Sequence, residues 1–280
     1  MKRTDINVRD PFVLVEDDTY YMFGTTMSLK KQKFLVWKSK DLEEFEEPII
    51  AFDPPEGFWS DRDFWAPEVH KYKGKYYMFA SFKSEAKCRG TQILVADKVE
   101  GPYKPLTDEP YTPRNWECLD GTFYVEEGIP YSIFAHEWVQ IKDGTFCLVQ
   151  LSGDLKEAVS EPRTILTASE APWISPINGD SYVTDGPFIY KMSDSSLILI
   201  WSSFSDTGYT IGMAKSTNGI NEPFIHVDKP LYKDDGGHAM IFKDLNGNLM
   251  LTFHRPNTLT QERPFFLQIE EHDGILRVVH

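Results

Sequence analysis

The sequence predicts an all-β fold, a five-bladed β-propeller with four-stranded antiparallel blades around a central channel, and three observations lead there. A phrase recurs five times along the 280 residues: a polar or Gly/Pro-containing opening, a short apolar run, a turn, and a second run rich in aromatics. The openings lie 52 to 65 residues apart, a spacing that marks repeat arrays. Apolar alternation near two residues per period prevails over helical periodicity, so helix is expected to be scarce.

In chain order, Asp10-Pro11 leads into FVLVEDDTYYMFGTT, Ala66-Pro67 into EVHKYKGKYYMFASF, and Asp120-Gly121 into TFYVEEGIPYSIFAHEW. Asp185-Gly186-Pro187 then leads into FIYKMSDSSLILIWSS, and Gly237-His238 into AMIFKDLNGNLMLTFH. Each copy carries hairpin chemistry at its middle: Glu16-Asp17-Asp18, Lys73-Gly74-Lys75, Glu126-Glu127-Gly128, Ser193-Asp194-Ser195 and Leu245-Asn246-Gly247-Asn248 separate β-branched and aromatic runs. A third strand follows in FLVWKS, TQILVAD, TFCLVQL, YTIGMAKS and PFFLQIEE, and weaker fourth runs complete the blades.

Residues 1–280 are expected to form one catalytic domain, since no Gly/Ser or Pro linker divides the repeats. Aromatic residues at 14% and hydrophobic residues at 41% supply its core. A net charge of −14 argues against nucleic acid as a partner, because that affinity rests on cations neutralising phosphates. Cys88, Cys118 and Cys147 lack metal-knuckle spacing and are expected to be free thiols. No apolar run is long enough to span a membrane, and the first residues lack an apolar leader segment. The chain as given reads as cytoplasmic, or as periplasmic or secreted if a signal peptide has been removed. The sequence is silent on oligomeric state.

The blade openings concentrate the chemistry. First strands line the channel of a propeller, so Asp10, Asp120 and Asp185, placed at this position in the first, third and fourth copies, are expected to converge at one mouth. Convergent carboxylates suit glycoside hydrolysis, in which one group protonates the leaving oxygen and another activates water or attacks the anomeric carbon.

At these residues the chain resembles glycoside hydrolase family 43, five-bladed propeller enzymes acting mainly on β-xylosides and α-L-arabinofuranosides. Arg9-Asp10-Pro11 is similar to the family's general-base motif, Leu119-Asp120-Gly121 to the motif of its pKa-modulating aspartate, and Trp65-Ala66-Pro67-Glu68 to its second-blade opening. Gly237-His238 resembles the last-blade motif, whose histidine faces the axis and helps to hold a metal ion. The resemblance implies an oligosaccharide or polysaccharide substrate, inverting hydrolysis, no cofactor for the chemistry, and a structural Ca²⁺ at His238.

The chain departs from that pattern at Thr184-Asp185-Gly186-Pro187, where the family usually carries a glutamate as the acid. Asp185 is one methylene shorter, so Glu137 in His136-Glu137-Trp138 is the alternative acid, and a propeller that binds sugar without cleaving it is the alternative outcome. A further reading comes from Trp116-Glu117-Cys118-Leu119-Asp120, which resembles a string of five-bladed fructosidases and would make Glu117 the acid/base of a retaining enzyme. Trp65, Trp138 and His136 are candidate sugar contacts, and Arg255 offers a fork of donors to hydroxyls. Each candidate has an ordinary role as well: aspartates before Pro or Gly cap turns, aromatics fill space between blades, and an arginine forms surface ion pairs. Loops at 27–34, 54–64 and 170–179, which shape the sugar pocket, carry no pattern that fixes the glycone.

Overall fold

The computed structural model describes residues 1–27 and 32–279, so four residues of the 27–34 loop, 28–31, lie outside the described residues. Five sheets, each of four consecutive strands, form the predicted propeller. Blade 1 comprises β1 (Arg9–Glu16), β2 (Thr19–Thr25), β3 (Phe34–Ser39) and β4 (Ile49–Phe52). Blade 2 holds β5 (Arg62–Tyr72), β6 (Lys75–Lys83), β7 (Gly90–Ala96) and β8 (Lys104–Pro105). Blade 3 holds β9 (Cys118–Glu126), β10 (Ile129–His136), β11 (Thr145–Gln150) and β12 (Arg163–Thr167), with one helical turn, α1 (Trp138–Ile141), after β10. Blade 4 runs through β13 (Asp185–Lys191), β14 (Leu197–Ser205), β15 (Gly208–Ser216) and β16 (Ile225–His226). Blade 5 runs through β17 (Gly237–Lys243), β18 (Leu249–Arg255), β19 (Arg263–His272) and β20 (Ile275–Val278).

All pairings are antiparallel, and the first strands pack against one another around the axis. The fourth strands have only 2 to 5 residues, which keeps the outer edge of each blade too short to template pairing with another chain. Lys73-Gly74 and Glu127-Gly128 both take positive φ at their two central positions, the geometry of two-residue turns whose twist matches the strands they join.

The core is a set of apolar interfaces between neighbouring blades. Between blades 1 and 2, Phe34, Phe52, Phe64 and Phe82 pack with ring centroids 4.8 to 6.2 Å apart, all fully or almost fully buried. Phe64 is therefore a core residue, and its burial contributes on the order of 2 kcal/mol. Cys118 and Cys147 are buried in the interface between blades 2 and 3, and all three cysteines are free.

Each blade draws its four strands from one continuous stretch of chain, so the ring closes between its two ends through side chains. Arg9 Nη1 meets Glu262 Oε1 at 2.8 Å, Asn7 Nδ2 donates to the Glu262 carbonyl at 3.0 Å, and Arg263 Nε donates to the Thr4 carbonyl at 2.7 Å. Tyr20 and Phe242 complete the seam edge to face at 6.2 Å. The ion pair at the seam carries Arg9 directly to the axis, one residue from Asp10.

Candidate active site

The five openings share one backbone device. Asp10, Ala66, Asp120, Gly186 and His238 all have positive φ, between 48° and 57°, and each sits at a register shift between the first and second strands of its blade. Such a bulge turns the side chain toward the mouth of the channel. Four of the five are not glycine, so strain of about 1 kcal/mol each is held by the surrounding blades. Glycine is required at 186, where a Cβ would lie 2.8 Å from the His238 ring.

This register corrects one expectation. Asp185 is not equivalent to Asp10 and Asp120; it precedes the left-handed residue of its blade and corresponds to Arg9, Trp65, Leu119 and Gly237. The Asp-Gly-Pro string offsets the carboxylate by one residue, because the bulge takes the glycine.

Each left-handed residue has its N–H held by the blade before it. Ala66 N donates to Thr25 Oγ1 at 2.7 Å, Asp120 N to Ser81 Oγ at 2.8 Å, His238 N to Ser202 Oγ at 2.8 Å, and Asp10 N to His254 Nδ1 at 3.2 Å. Thr25, Ser81, Ser202 and His254 are equivalent, each pairing across the sheet with the residue before its own blade's bulge. In blade 3 that place is taken by Ala135, which has no acceptor, and Gly186 N donates instead to Asp120 Oδ2 at 3.0 Å. A missing hydroxyl thus brings a carboxylate onto the strand that carries Asp185.

Asp10, Asp120 and Asp185 line one pocket of about 230 Å³ together with Arg9, Thr25, Tyr209 and His238. Trp65, Leu119, Met27 and Leu259 form its apolar side. Asp10 Oδ2 accepts the Thr25 hydroxyl at 2.6 Å, and its Oδ1 lies 3.2 Å from His238 Nδ1. Burial pushes the Asp10 carboxyl toward its neutral form, but the His238 and Arg9 charges and the Thr25 hydroxyl outweigh it and hold Asp10 below the usual carboxylate range. Asp10 is ionised.

The other two carboxyls behave oppositely. Burial pushes Asp120 up to about 8, with the charges of Asp185 and Asp10 adding to the rise against the pull of His238. Burial also raises Asp185, whose Oδ2 accepts the Tyr209 hydroxyl at 3.0 Å. Asp120 and Asp185 are thus both shifted toward the protonated form, opposite to Asp10. Burial lowers the His238 imidazole, yet the surrounding carboxylates Asp10, Asp120 and Asp185 outweigh it and raise its pKa. Burial lowers His254 to about 4; since its Nδ1 accepts the Asp10 N–H, its proton lies on Nε2, which donates to Asn257 Oδ1 at 3.1 Å.

The remaining sequence-predicted residues fall in several places. Trp65 lines the pocket, with the Arg89 guanidinium stacked 3.9 Å from its ring centroid. Glu137 is buried behind that pair: its Oε1 accepts Arg89 Nε at 3.1 Å, while Oε2 is buried without a partner among the described residues. Burial raises the Glu137 carboxyl despite the Arg89 charge, and the Asp185 charge adds to the rise. His136 stacks on Trp116 at 4.1 Å and binds Gln140 at 2.8 Å, while Trp138 opens α1; neither lines the pocket. Arg255 pairs with Asp234 at 2.9 Å at the rim of blade 5. Glu117 receives Lys83 Nζ on both oxygens at 2.9 Å and the Arg89 N–H at 2.8 Å. Although burial opposes it, these donors lower the Glu117 pKa, the opposite of what a proton donor needs, and Glu117 does not line the catalytic pocket.

His238 also borders a second cavity of about 10 Å³, shared with Asp10, Ala66 and Glu68, the room of a single water-sized occupant. With Nδ1 committed to Asp10, Nε2 is the nitrogen left for another ligand. One imidazole beside carboxylate oxygen, with no thiolate among the lining residues, is the donor chemistry of a hard cation rather than zinc, and a cavity of this size admits the ion without a water shell.

Sequence reasoning missed Thr25, Tyr209, His254 and Arg89. Thr25 and His254 lie in the last two residues of second strands, at the position that faces the next opening, a signal visible only when the five repeats are aligned on their bulges. Tyr209 starts a third strand and carries no such signal.

A solved endo-arabinase from Bacteroides thetaiotaomicron VPI-5482 superposes with a TM-score of 0.92 at 40% identity, covering 98% of each chain. Among curated proteins, an extracellular endo-α-(1→5)-L-arabinanase of Bacillus subtilis strain 168 is 25% identical over 87% of this chain and 53% of its own length. One from Thermotoga petrophila is 26% identical over 88% of this chain and 56% of its own. The chain thus spans about half the length of the curated relatives it matches. With the model of Glycosyl hydrolases family 43 matching residues 5–274, through all five blades, the chain belongs to that family.

Proposed function

We propose that the protein is an inverting glycosidase acting within chains of α-1,5-linked arabinofuranose, with the whole propeller as one catalytic domain. The observation that carries this reading is the meeting of Asp10, Asp120 and Asp185 in a single pocket, with Asp10 lowered in pKa and the other two raised. Arabinan is favoured over xylan by the names of the relatives above, and internal cleavage by the name of the 40% identical neighbour.

Asp10, low in pKa and held by Thr25 and His238, takes a proton from the attacking water. Asp185, high in pKa and held by Tyr209, gives its proton to the departing oxygen. Asp120 keeps that proton in place, since ionising both members of a buried pair is costly. Trp65 offers an aromatic wall to the sugar. The orphaned Oε2 of Glu137 supports a second reading in which that carboxyl, rather than Asp185, supplies the proton. A hard cation such as Ca²⁺, held by Nε2 of a neutral His238, would take over the positive charge that the imidazolium otherwise supplies to the axis and would take no part in bond breaking.

The relatives are named extracellular, which favours the exported branch of the localisation expectation. Neither nucleic acid nor membrane enters the reading: the net charge is −14, and among the described residues no helix is long and apolar enough to cross a bilayer.

Incubation with linear α-1,5-arabinan tests the proposal, with chain-length analysis of products and proton NMR of the first-formed reducing end. Internal cleavage with an initial β-anomer is expected. Retention of the α-anomer, or cleavage of xylan in preference to arabinan, would overturn it.

A further inference from the structure

We propose that a second cavity, on the far side of the Trp65–Arg89 stack, is a subsite for a neutral pentose chain beyond the sugars held at the carboxylates; this rests on the arabinan reading. The cavity measures about 250 Å³, as large as the catalytic pocket, and its lining includes Trp59, Lys87, Arg89, Glu109, Pro110 and Arg114. Arg89 belongs to its wall, and Trp65, 3.9 Å away, belongs to the wall of the catalytic pocket. The stacked pair therefore reaches both linings.

Trp59 is built as a fixed platform. Its indole N–H donates to Gln92 Oε1, and Gln92, fully buried, donates onward to the Thr107 carbonyl. The ring also rests on Phe58 and Phe82, with centroids 6.1 and 6.4 Å away. A side chain already immobilised loses little entropy when a ligand arrives. Sugar rings present one face of C–H groups that packs on an aromatic surface, and the half-buried, oriented indole suits that contact once Lys87 Nζ, 5.7 Å from the ring centroid, swings aside.

The polar rim answers the hydroxyls. Glu109 bridges Lys87 at 3.3 Å and Arg114 at 2.6 Å, setting donors and acceptor side by side. Glu109 offsets one of the two cations, and the Arg89 charge is already taken by Asp63 at 2.8 Å and Glu137 at 3.1 Å. The neutral ligand follows from the arabinan reading; the rim, with one cation left over, supplies donors to its hydroxyls. Pro110 stiffens the floor, packed so closely on Gly90 that a Cβ there would lie 2.8 Å from it.

The test compares substrates by length. Trp59→Ala is expected to raise KM for arabinohexaose and linear arabinan roughly tenfold while leaving an aryl arabinofuranoside and arabinotriose unchanged. Trp59→Phe keeps an aromatic face and should retain most of the long-chain affinity; Glu109→Ala, on the rim and away from the core, should lose part of it. An equal loss on short and long substrates, or no loss on either, would overturn the subsite. Calorimetric titration of arabinohexaose into the unmutated protein and the Trp59→Ala variant measures binding independently of turnover. A protein that cleaves no arabinoside would end the enzymatic reading, while a tenfold loss of hexaose affinity in the variant would still uphold the site and unchanged affinity would still refute it. Tighter binding of an oligouronide than of arabinohexaose would refute the neutral ligand.

Discussion

Gly186 donates its backbone N–H to Asp120 Oδ2 at 3.0 Å, at the blade junction where the preceding second strand offers alanine instead of Thr, Ser or His. In blade 1 the equivalent hydroxyl stands between: Thr25 accepts the Ala66 N–H and donates to Asp10. Asp10 lies low in pKa and Asp120 high. Ala135→Ser restores the hydroxyl relay: the new hydroxyl accepts the Gly186 N–H, replaces it as the donor to Asp120, and draws that carboxyl away from Asp185, whose charge raises it. The alkaline limb of kcat/KM should fall by about one pH unit. Ala135→Gly, which adds no hydroxyl, should leave the limb in place; a limb that does not move in the serine variant would show that the junction does not tune Asp120.

The pH profile of the unmutated protein follows from the same groups. Asp10 is depressed, so activity should persist in acid to below about pH 4, where an ordinary aspartate would be half protonated. The pair Asp120 and Asp185 is raised, Asp120 to about 8, so its proton is present below that pH and activity is lost as pH rises through it. Tyr209→Phe removes a hydrogen bond to the ionised form of Asp185 and should carry the alkaline limb upward by about one unit. A downward shift would reverse the assignment.

The repeat was legible because propeller blades have a period, and because Lys73-Gly74 and Glu127-Gly128 turn only one way. The three aspartates were legible because openings recur. Which residue of each opening forms the bulge was not: Asp-Pro, Asp-Gly and Asp-Gly-Pro look alike in sequence, and only the close approach of Gly186 to His238 decides that glycine takes the left-handed place in blade 4. Nor were His136 and Arg255 distinguishable from sugar contacts, since their partners Trp116, Gln140 and Asp234 lie 4 to 21 residues away along the chain.

His238 supplies the next test. A hard cation at its Nε2 would bind the folded state alone, so saturating Ca²⁺ should raise the melting temperature of EDTA-stripped protein, and a hundredfold excess over Kd corresponds to about 2.7 kcal/mol. His238→Ala should abolish that increment. Metal analysis of the purified protein, together with an unchanged melting temperature after stripping, would remove the cation and leave His238 as the partner of Asp10.

Changing the leaving group separates acid from base. A low-pKa phenol departs from an aryl arabinoside with little protonation, whereas an arabinan chain leaves as a basic alkoxide and needs the proton. Asp185→Asn keeps an acceptor for Tyr209 and should fold, yet it should slow arabinan cleavage by roughly 10² to 10⁴-fold while costing less than about tenfold on the activated aryl substrate. Asp10→Asn should abolish both, because water must be activated whatever departs. Glu137→Gln distinguishes the alternative: it removes half of the Arg89 ion pairing without touching the pocket lining, so under the Asp185 assignment any loss is the same on both substrates. Should the glutamine variant instead show the leaving-group dependence and Asp185→Asn an equal loss on both, the general acid is Glu137, and Asp185 with Tyr209 holds the sugar.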